Sequence, residues 1–137
     1  MIDLAFYLGG SPIELNAMTS GSLSWHPTSA VFAGSGRTEQ GALFSYQANW
    51  DAPGRWGVEI LTQKHRLILR PLETLQIIKK GSINIENYQI ADEIDKEYKP
   101  GLYRQVKYFL MGMKNDFCTL EDQVKKWKLY EKIAGYK

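Results

Sequence analysis

Cysteine and long apolar runs are what this sequence most clearly lacks. Cys118 is the one cysteine in 137 residues, which excludes an internal disulfide. No apolar stretch approaches the roughly 20 residues that a membrane-spanning helix requires. Asp3 stands near the amino terminus, where a secretory signal would carry basic residues. These absences predict a cytoplasmic protein with no membrane partner.

The sequence also lacks an excess of either positive or negative charge. Lysine and arginine number 17 and aspartate and glutamate 15, which gives a net charge of +2. A nucleic-acid-binding domain usually concentrates basic residues on one surface, so no nucleic-acid partner is expected. Several lysines crowd the carboxyl end, and we interpret them as the solvated face of an amphipathic helix. They are Lys125, Lys126, Lys128, Lys132 and Lys137.

Catalytic, metal and cofactor motifs are absent too. His26 and His65 are the two histidines, and no spacing of ligands predicts a metal site. There is no Ser-His-Asp arrangement. Gly34-Ser35-Gly36 resembles part of a dinucleotide loop, but Glu39 stands where the third glycine would be. A turn or bulge with close backbone approach is the preferred interpretation of these glycines.

The length fits one domain spanning residues 1–137, and the first two thirds favour β-structure. Apolar residues alternate with Leu43, Ser45, Gln47 and Asn49 over residues 42–50, which predicts a half-buried strand. The inward set is Ala42, Phe44, Tyr46, Ala48 and Trp50. Asp51-Ala52-Pro53-Gly54 is typical of a turn, so the next strand is expected to pair with this one in antiparallel fashion, within one sheet.

The last third changes to helical spacing. Leu102, Val106, Phe109, Leu110 and Met113 predict one amphipathic helix. Thr119 and Asp122 form a capping-box pattern that predicts the start of a second helix. Helices with apolar stripes need a surface to cover. The predicted fold class is therefore α+β, with an open, mostly antiparallel sheet and helices packed on one face.

The most unusual stretch spans residues 49–56, Asn-Trp-Asp-Ala-Pro-Gly-Arg-Trp. Aromatic faces and fixed polar groups around one turn are typical of sugar sites, although a hairpin anchored by tryptophan would look the same. The arginines would suit a carboxylate or phosphate, or serve at strand ends. The candidate substrate contacts are Trp25, His26, Asn49, Trp50, Arg55 and Arg104.

Four stretches resemble the carboxyl-terminal domain of the glucose–fructose oxidoreductase and inositol dehydrogenase family (Gfo/Idh/MocA). They follow in order along essentially the whole chain. The longest is N-W-D-A-P-G-R-W-G-V-E-I-L-T-Q-K-H-R-L-I-L-R-P-L over residues 49–72. The others are I-D-L-A-F-Y-L-G-G over 2–10, Y-K-P-G-L-Y-R-Q-V over 98–106 and C-T-L-E-D-Q over 118–123.

The resemblance implies one half of a two-domain NAD(P)-dependent dehydrogenase that acts on a sugar, cyclitol or sugar-nucleotide. NAD or NADP would bind to an amino-terminal Rossmann domain of the parent protein. The domain that this chain forms would supply substrate contacts and the interface of a homo-oligomer. The family's catalytic histidine would precede Ile2 and its lysine lies in the Rossmann domain, so no catalytic or cofactor-binding residue is carried over.

This chain alone is therefore expected to be inactive, and its opening helix is expected to continue from a domain boundary. The alternative is a free-standing interaction module that dimerises through the same sheet and has no catalytic activity.

Overall fold

A computed structural model describes residues 1–113 and 117–136. Lys137, in the predicted lysine-rich face, lies outside these residues. The described residues form helices and antiparallel sheets, which confirms the α+β class. The elements are α1 (Ile2–Gly9), β1 (Pro12–Ser20), β2 (Val31–Thr38), β3 (Leu43–Asn49), β4 (Val58–Leu61), β5 (His65–Leu69), β6 (Leu75–Lys79), β7 (Glu86–Tyr88), α2 (Glu93–Glu97), α3 (Leu102–Leu110) and α4 (Leu120–Ala134).

The chain divides into two compact units. The first contains Met1–Gly54 and Val124–Lys137, and the second contains Arg55–Gln123. The first unit holds a three-stranded sheet in the order β1-β2-β3, and the second holds a four-stranded sheet in the order β4-β5-β6-β7. Every pairing in both sheets is antiparallel.

The prediction of one continuous sheet is wrong, because β3 and β4 lie in different sheets. Residues 50–57 connect them, and this is longer than the two to five residues of most hairpin loops. Pro53 also lacks the N–H that a ladder bond needs. β4 instead pairs with the strand after it, with Val58 opposite Leu69.

The inward face of the first sheet is the one predicted from the alternation. Phe44, Tyr46 and Ala48 are half-buried, whereas the residues between them are exposed. Ala42 and Trp50, also predicted to point inward, are exposed, because β3 begins after the first and ends before the second. Opposite Ala48 lies Phe32, one of three fully buried apolar residues in the described chain, with Ala30 and Ile133.

Gly34 and Gly36 lie within regular β2, opposite Tyr46 and Phe44. The prediction of a turn or bulge at these glycines is therefore wrong, but close approach is confirmed. A Cβ on Gly34 would lie under 3.0 Å from the Tyr46 ring. A Cβ on Gly36 would lie 2.7 Å from the Phe44 ring and closer still to the carbonyl oxygen of Glu14. These positions are glycine because aromatic rings and backbone already fill the space.

Helices α1 and α4 contact the inward face of the first sheet. The ring of Phe6 in α1 meets Phe44 edge-on at 5.2 Å. Asp3 in α1 accepts hydrogen bonds from Lys126, at 2.9 Å, and from the hydroxyl of Tyr130, so it joins the two helices. In this unit the helices therefore lie on one side of the sheet, as predicted.

The edge of the first sheet is protected by a lysine of α4. Lys132 donates to the backbone oxygen of Leu15 in β1 at 2.6 Å. A charged side chain over an edge strand hinders pairing with another strand. Lys125 and Lys128 are exposed, as predicted for the solvated face of this helix, whereas Lys126 is half-buried beside Asp3.

The four-stranded sheet of the second unit has two faces of different composition, as the register shows. The aliphatic face carries Val58, Ile60, Leu67, Leu69, Leu75 and Ile77, together with His65, Lys79, Glu86 and Tyr88. The mixed face consists of Glu59, Leu61, Arg66, Ile68, Gln76, Ile78 and Asn87. Glu59, Leu61, Arg66 and Ile68 therefore share a face. No described residue of this unit is fully buried.

Local signals in the last third are partly confirmed. Thr119 and Asp122 form the predicted capping box: each backbone N–H is bonded to the other's side-chain oxygen, at 3.1 and 3.2 Å. The predicted helix from Leu102 is also present. Its apolar stripe does not form a core, however, since Phe109 remains 74% exposed.

The charged residues 93–97 form the short helix α2. Asp92 and Lys96 lie one helical turn apart and form an ion pair of 2.8 Å, which stabilises this helix.

Candidate functional site

Two tryptophans at one end of the first sheet form an exposed stacked pair. The ring centroids of Trp25 and Trp50 are 5.2 Å apart, and the rings are inclined by 14°. Trp25 is 66% exposed and Trp50 46% exposed. We call this pair the tryptophan platform. Exposed, nearly parallel indoles are costly to leave in water, and they offer flat apolar surface to a ligand.

His26 lies against the platform and is only 6% exposed. Its ring meets Trp50 nearly edge-on at 5.1 Å, and it lies 5.3 Å from Tyr136 and 5.8 Å from Phe32. Its Nδ1 is 2.7 Å from the backbone oxygen of Ser29. A carbonyl oxygen can only accept, so Nδ1 carries the hydrogen and Nε2 is an acceptor in the neutral ring. His26 therefore fixes the rings around it.

Backbone hydrogen bonds hold the two segments of the platform together. Leu23 and His26 exchange N–H···O bonds of 3.0 and 3.1 Å, which close the loop around Trp25. The N–H of Trp50 donates to the oxygen of Ala30 at 2.9 Å. The two indoles are thus positioned by main chain as well as by ring contacts, and the Phe32 ring supports Trp50 at 4.6 Å.

Ser29 connects this loop to the end of α4. It is fully buried, and its hydroxyl donates to the backbone oxygen of Ala134 at 3.0 Å. A helix leaves its last carbonyl groups without intrahelical partners, so this bond also satisfies one of them. Tyr136 follows two residues later and reaches His26. The helix end is therefore part of the support of the site.

Asn49 has a local role in the turn after β3. Its side-chain oxygen accepts the N–H of Asp51 at 3.0 Å, which is an Asx turn. Asn49 lies opposite Val31, on the face of the sheet away from Phe32. The predicted contact with substrate is not supported by this geometry, because the acceptor is already used by the backbone.

The structure thus brings together three of the six predicted site residues: Trp25, His26 and Trp50. Arg55 and Arg104 belong to the second unit and are exposed, Arg104 on α3. Sequence reasoning missed Phe32 and Tyr136. The alternation of β2 could have indicated Phe32 as inward. Nothing local in the sequence places Tyr136 beside a histidine 110 positions earlier.

Tyr46 lies on the inward face of the same sheet. Its hydroxyl is buried and has no hydrogen-bond partner within the described residues. Burial raises the pKa of this phenol, because the ionised form would lose its hydration. Tyr46 therefore contributes a neutral, packed ring.

The second unit carries a surface groove of about 420 Å³ between the end of its sheet and α2. Its charged lining residues are of both signs: Arg70, Glu73, Asp92 and Lys96. Asp92 pairs with Lys96 at 2.8 Å, and this contact raises the pKa of the lysine. Compensated charges on an open surface favour no particular ligand, so the platform is the stronger candidate.

Residues 1–113 and 117–136 contain no helix that is long and apolar enough to cross a membrane. Within that same part of the chain, no three His, Cys, Asp or Glu side chains are grouped to hold a metal ion. Comparisons with protein-family models, with curated proteins and with solved structures gave no match.

Proposed function

We propose that this chain is the substrate-binding domain of a cytoplasmic NAD(P)-dependent sugar oxidoreductase and that the tryptophan platform contacts the saccharide. The observation that carries the proposal is the exposed stacked pair of Trp25 and Trp50, fixed by a buried histidine. Pyranose rings have a C–H face that packs on indole, and such contacts retain value in water because they bury apolar area.

The resemblance to the carboxyl-terminal domain of the glucose–fructose oxidoreductase and inositol dehydrogenase family supports the same function. It also assigns the dinucleotide to a separate Rossmann domain of the parent. The glycines of this chain do not fit that cofactor: Gly34 and Gly36 lie within a strand, under the rings of Tyr46 and Phe44. A dinucleotide loop instead opens a helix whose amino-terminal N–H groups face the phosphates.

A titration with simple glycosides tests the proposal. A methyl hexoside has about 13 non-hydrogen atoms, and at about 0.3 kcal/mol per atom its dissociation constant would be about 1 mM. Tryptophan fluorescence of the full chain should change saturably in this range. Trp50→Ala and Trp25→Ala should abolish the change. Trp127→Ala, which removes an exposed tryptophan from α4, should retain it. No saturable change with any hexoside would contradict the proposal.

We further propose that the mixed face of the four-stranded sheet forms the interface of a homodimer. Leu61 is 73% exposed on this face, next to the ion pair of Glu59 with Arg66 at 2.6 Å. Protein interfaces combine an apolar centre with a polar rim, and this face offers Leu61, Ile68 and Ile78 beside polar residues. A two-fold axis would place the same face of each copy against the other.

The second candidate function is that of a free-standing interaction module, which would dimerise through the same interface. The two functions are distinguished by the platform: a module that only assembles would dimerise but would not bind a hexoside. The glycoside titration and the oligomeric state together therefore separate them.

A further inference from the structure

The charges around the tryptophan platform indicate what kind of saccharide it would accept. Between Glu14 and Arg37 the sequence has no lysine, arginine, aspartate or glutamate, and this stretch includes the whole loop that carries Trp25. Residues 40–50, which lead to Trp50, have none either. The segments that build the platform are therefore uncharged up to Asp51.

Asp51, directly after Trp50, is the one charged residue of the adjoining turn, residues 49–54. It is exposed, and its backbone N–H is fixed by Asn49 at 3.0 Å. Asp51 therefore lies in the exposed turn that directly follows Trp50. A negatively charged ligand group would meet repulsion there, whereas a hydroxyl group could donate a hydrogen bond to it.

Three described cations of the first unit bind other residues of this unit. Arg37 pairs with Glu14 at 3.7 Å, six residues along β2 from Val31, which is roughly 20 Å from the platform end of the strand. Lys132 donates to Leu15 and Lys126 to Asp3. A phosphate or carboxylate is usually bound by arginine forks or by clustered backbone N–H groups. The described residues of the platform segments provide no such arginine.

We propose that the tryptophan platform selects a neutral pyranose face over a phosphorylated or acidic sugar, with Asp51 as the residue that disfavours anions. This inference rests on the proposed function, since it names the substrate class of the same site. It differs from the sequence-based expectation that arginines prepare the site for a carboxylate or phosphate. His26 acts as a positioning residue: it holds Trp50 through its ring and the loop through Ser29.

The test compares ligands that differ in one group. Methyl glucopyranoside and methyl galactopyranoside are each matched with the uronate that carries a carboxylate at C6. Binding is followed by tryptophan fluorescence of the full chain. The neutral glycoside of at least one pair should bind about fivefold more tightly than its uronate at low ionic strength. Added salt should weaken this preference, because it screens Asp51.

Asp51→Asn provides the matched variant. It keeps the backbone N–H that bonds to Asn49 and removes the charge. The affinity for the uronate should rise roughly two- to fourfold relative to that for the neutral glycoside, the size of one exposed charge–charge interaction. His26→Asn should lower the affinities for both ligands equally, because it disturbs the tryptophan platform and leaves the charge of Asp51 in place.

The outcomes separate the two proposals. If a uronate binds as tightly as its neutral partner, or if Asp51→Asn leaves its affinity unchanged, the selectivity inference is overturned and the saccharide function stands. If none of the four ligands binds, the proposed function itself is overturned, and the inference with it.

Discussion

Replacing the two glycines of β2 by alanine gives a test of the first unit in which two neighbouring positions should respond differently. Glycine in a regular strand normally costs about 0.5–1 kcal/mol relative to alanine, so an unobstructed substitution would stabilise the protein. At Gly34 the new Cβ meets the far end of the Tyr46 ring. We expect a loss of about 1–3 kcal/mol there, as for other overpacked sites.

At Gly36 the obstacle is the backbone. The new Cβ would meet the carbonyl oxygen of Glu14 in the neighbouring strand as well as the Phe44 ring. A side chain can swing away, but the backbone of β1 is held in the ladder by its pairing with β2. Gly36→Ala should therefore cost about 3 kcal/mol or more.

A double-mutant comparison separates the two causes. Tyr46→Ala should relieve Gly34→Ala, so the double variant should be more stable than the sum of the single losses by about 1–2 kcal/mol. Phe44→Ala should relieve Gly36→Ala much less, because the contact with Glu14 remains. The measurement is urea unfolding followed by circular dichroism.

Gly54→Ala is the control for these substitutions. A Cβ there would meet nothing within 4 Å, and its effect should stay within about 0.5 kcal/mol. If Gly36→Ala is as stable as the unmodified chain, or if Phe44→Ala relieves it fully, the described packing of β1 against β2 is refuted.

Three further predictions concern the other features. Tyr46→Phe should not lower stability, because the hydroxyl has no hydrogen-bond partner within the described residues. Burial raises the pKa of Tyr46 above 10.0, because the ionised phenol is disfavoured in the folded chain. The unmodified chain should therefore keep its stability below pH 10 and lose part of it as the pH rises through the folded pKa. Unfolding curves should show this loss relative to Tyr46→Phe. Calorimetry should detect no sub-millimolar binding of NAD or NADP to the chain, since Gly34 and Gly36 are covered by rings. Light scattering should report a mass of about twice 15.7 kDa. Leu61→Arg should shift this mass towards the monomer, whereas Ile83→Arg, at a 92% exposed position outside the strands, should not. A monomeric mass for the unmodified chain would contradict the proposed interface.

Local patterns in the sequence predicted local structure well. The alternation from Ala42 to Trp50 assigned the inward face of β3, because side chains of a strand point to opposite faces with a period of two. The capping box of Thr119 and Asp122 needs no more than three residues of spacing. Both are confirmed in the structure.

Non-local relations were not predictable in the same way. Helical periodicity showed which side of α3 is apolar, but it does not show what covers that side, and Phe109 is exposed. The separation of β3 from β4 depends on hydrogen-bond pairing beyond the turn. At the candidate site, composition indicated Trp25 and Trp50 but not their stacking. It also suggested Asn49, whose side chain the structure uses in a turn.

The central claim is that the tryptophan platform binds a saccharide, and the indole N–H resonances of the chain test it most directly. There are four tryptophans, so four indole signals can be assigned by Trp→Phe variants and followed during titration with a methyl hexoside. The signals of Trp25 and Trp50 should shift together along one saturable curve, and those of Trp56 and Trp127 should stay in place. Unchanged signals of Trp25 and Trp50 at millimolar glycoside, or shifts confined to Trp56 and Trp127, would contradict the account.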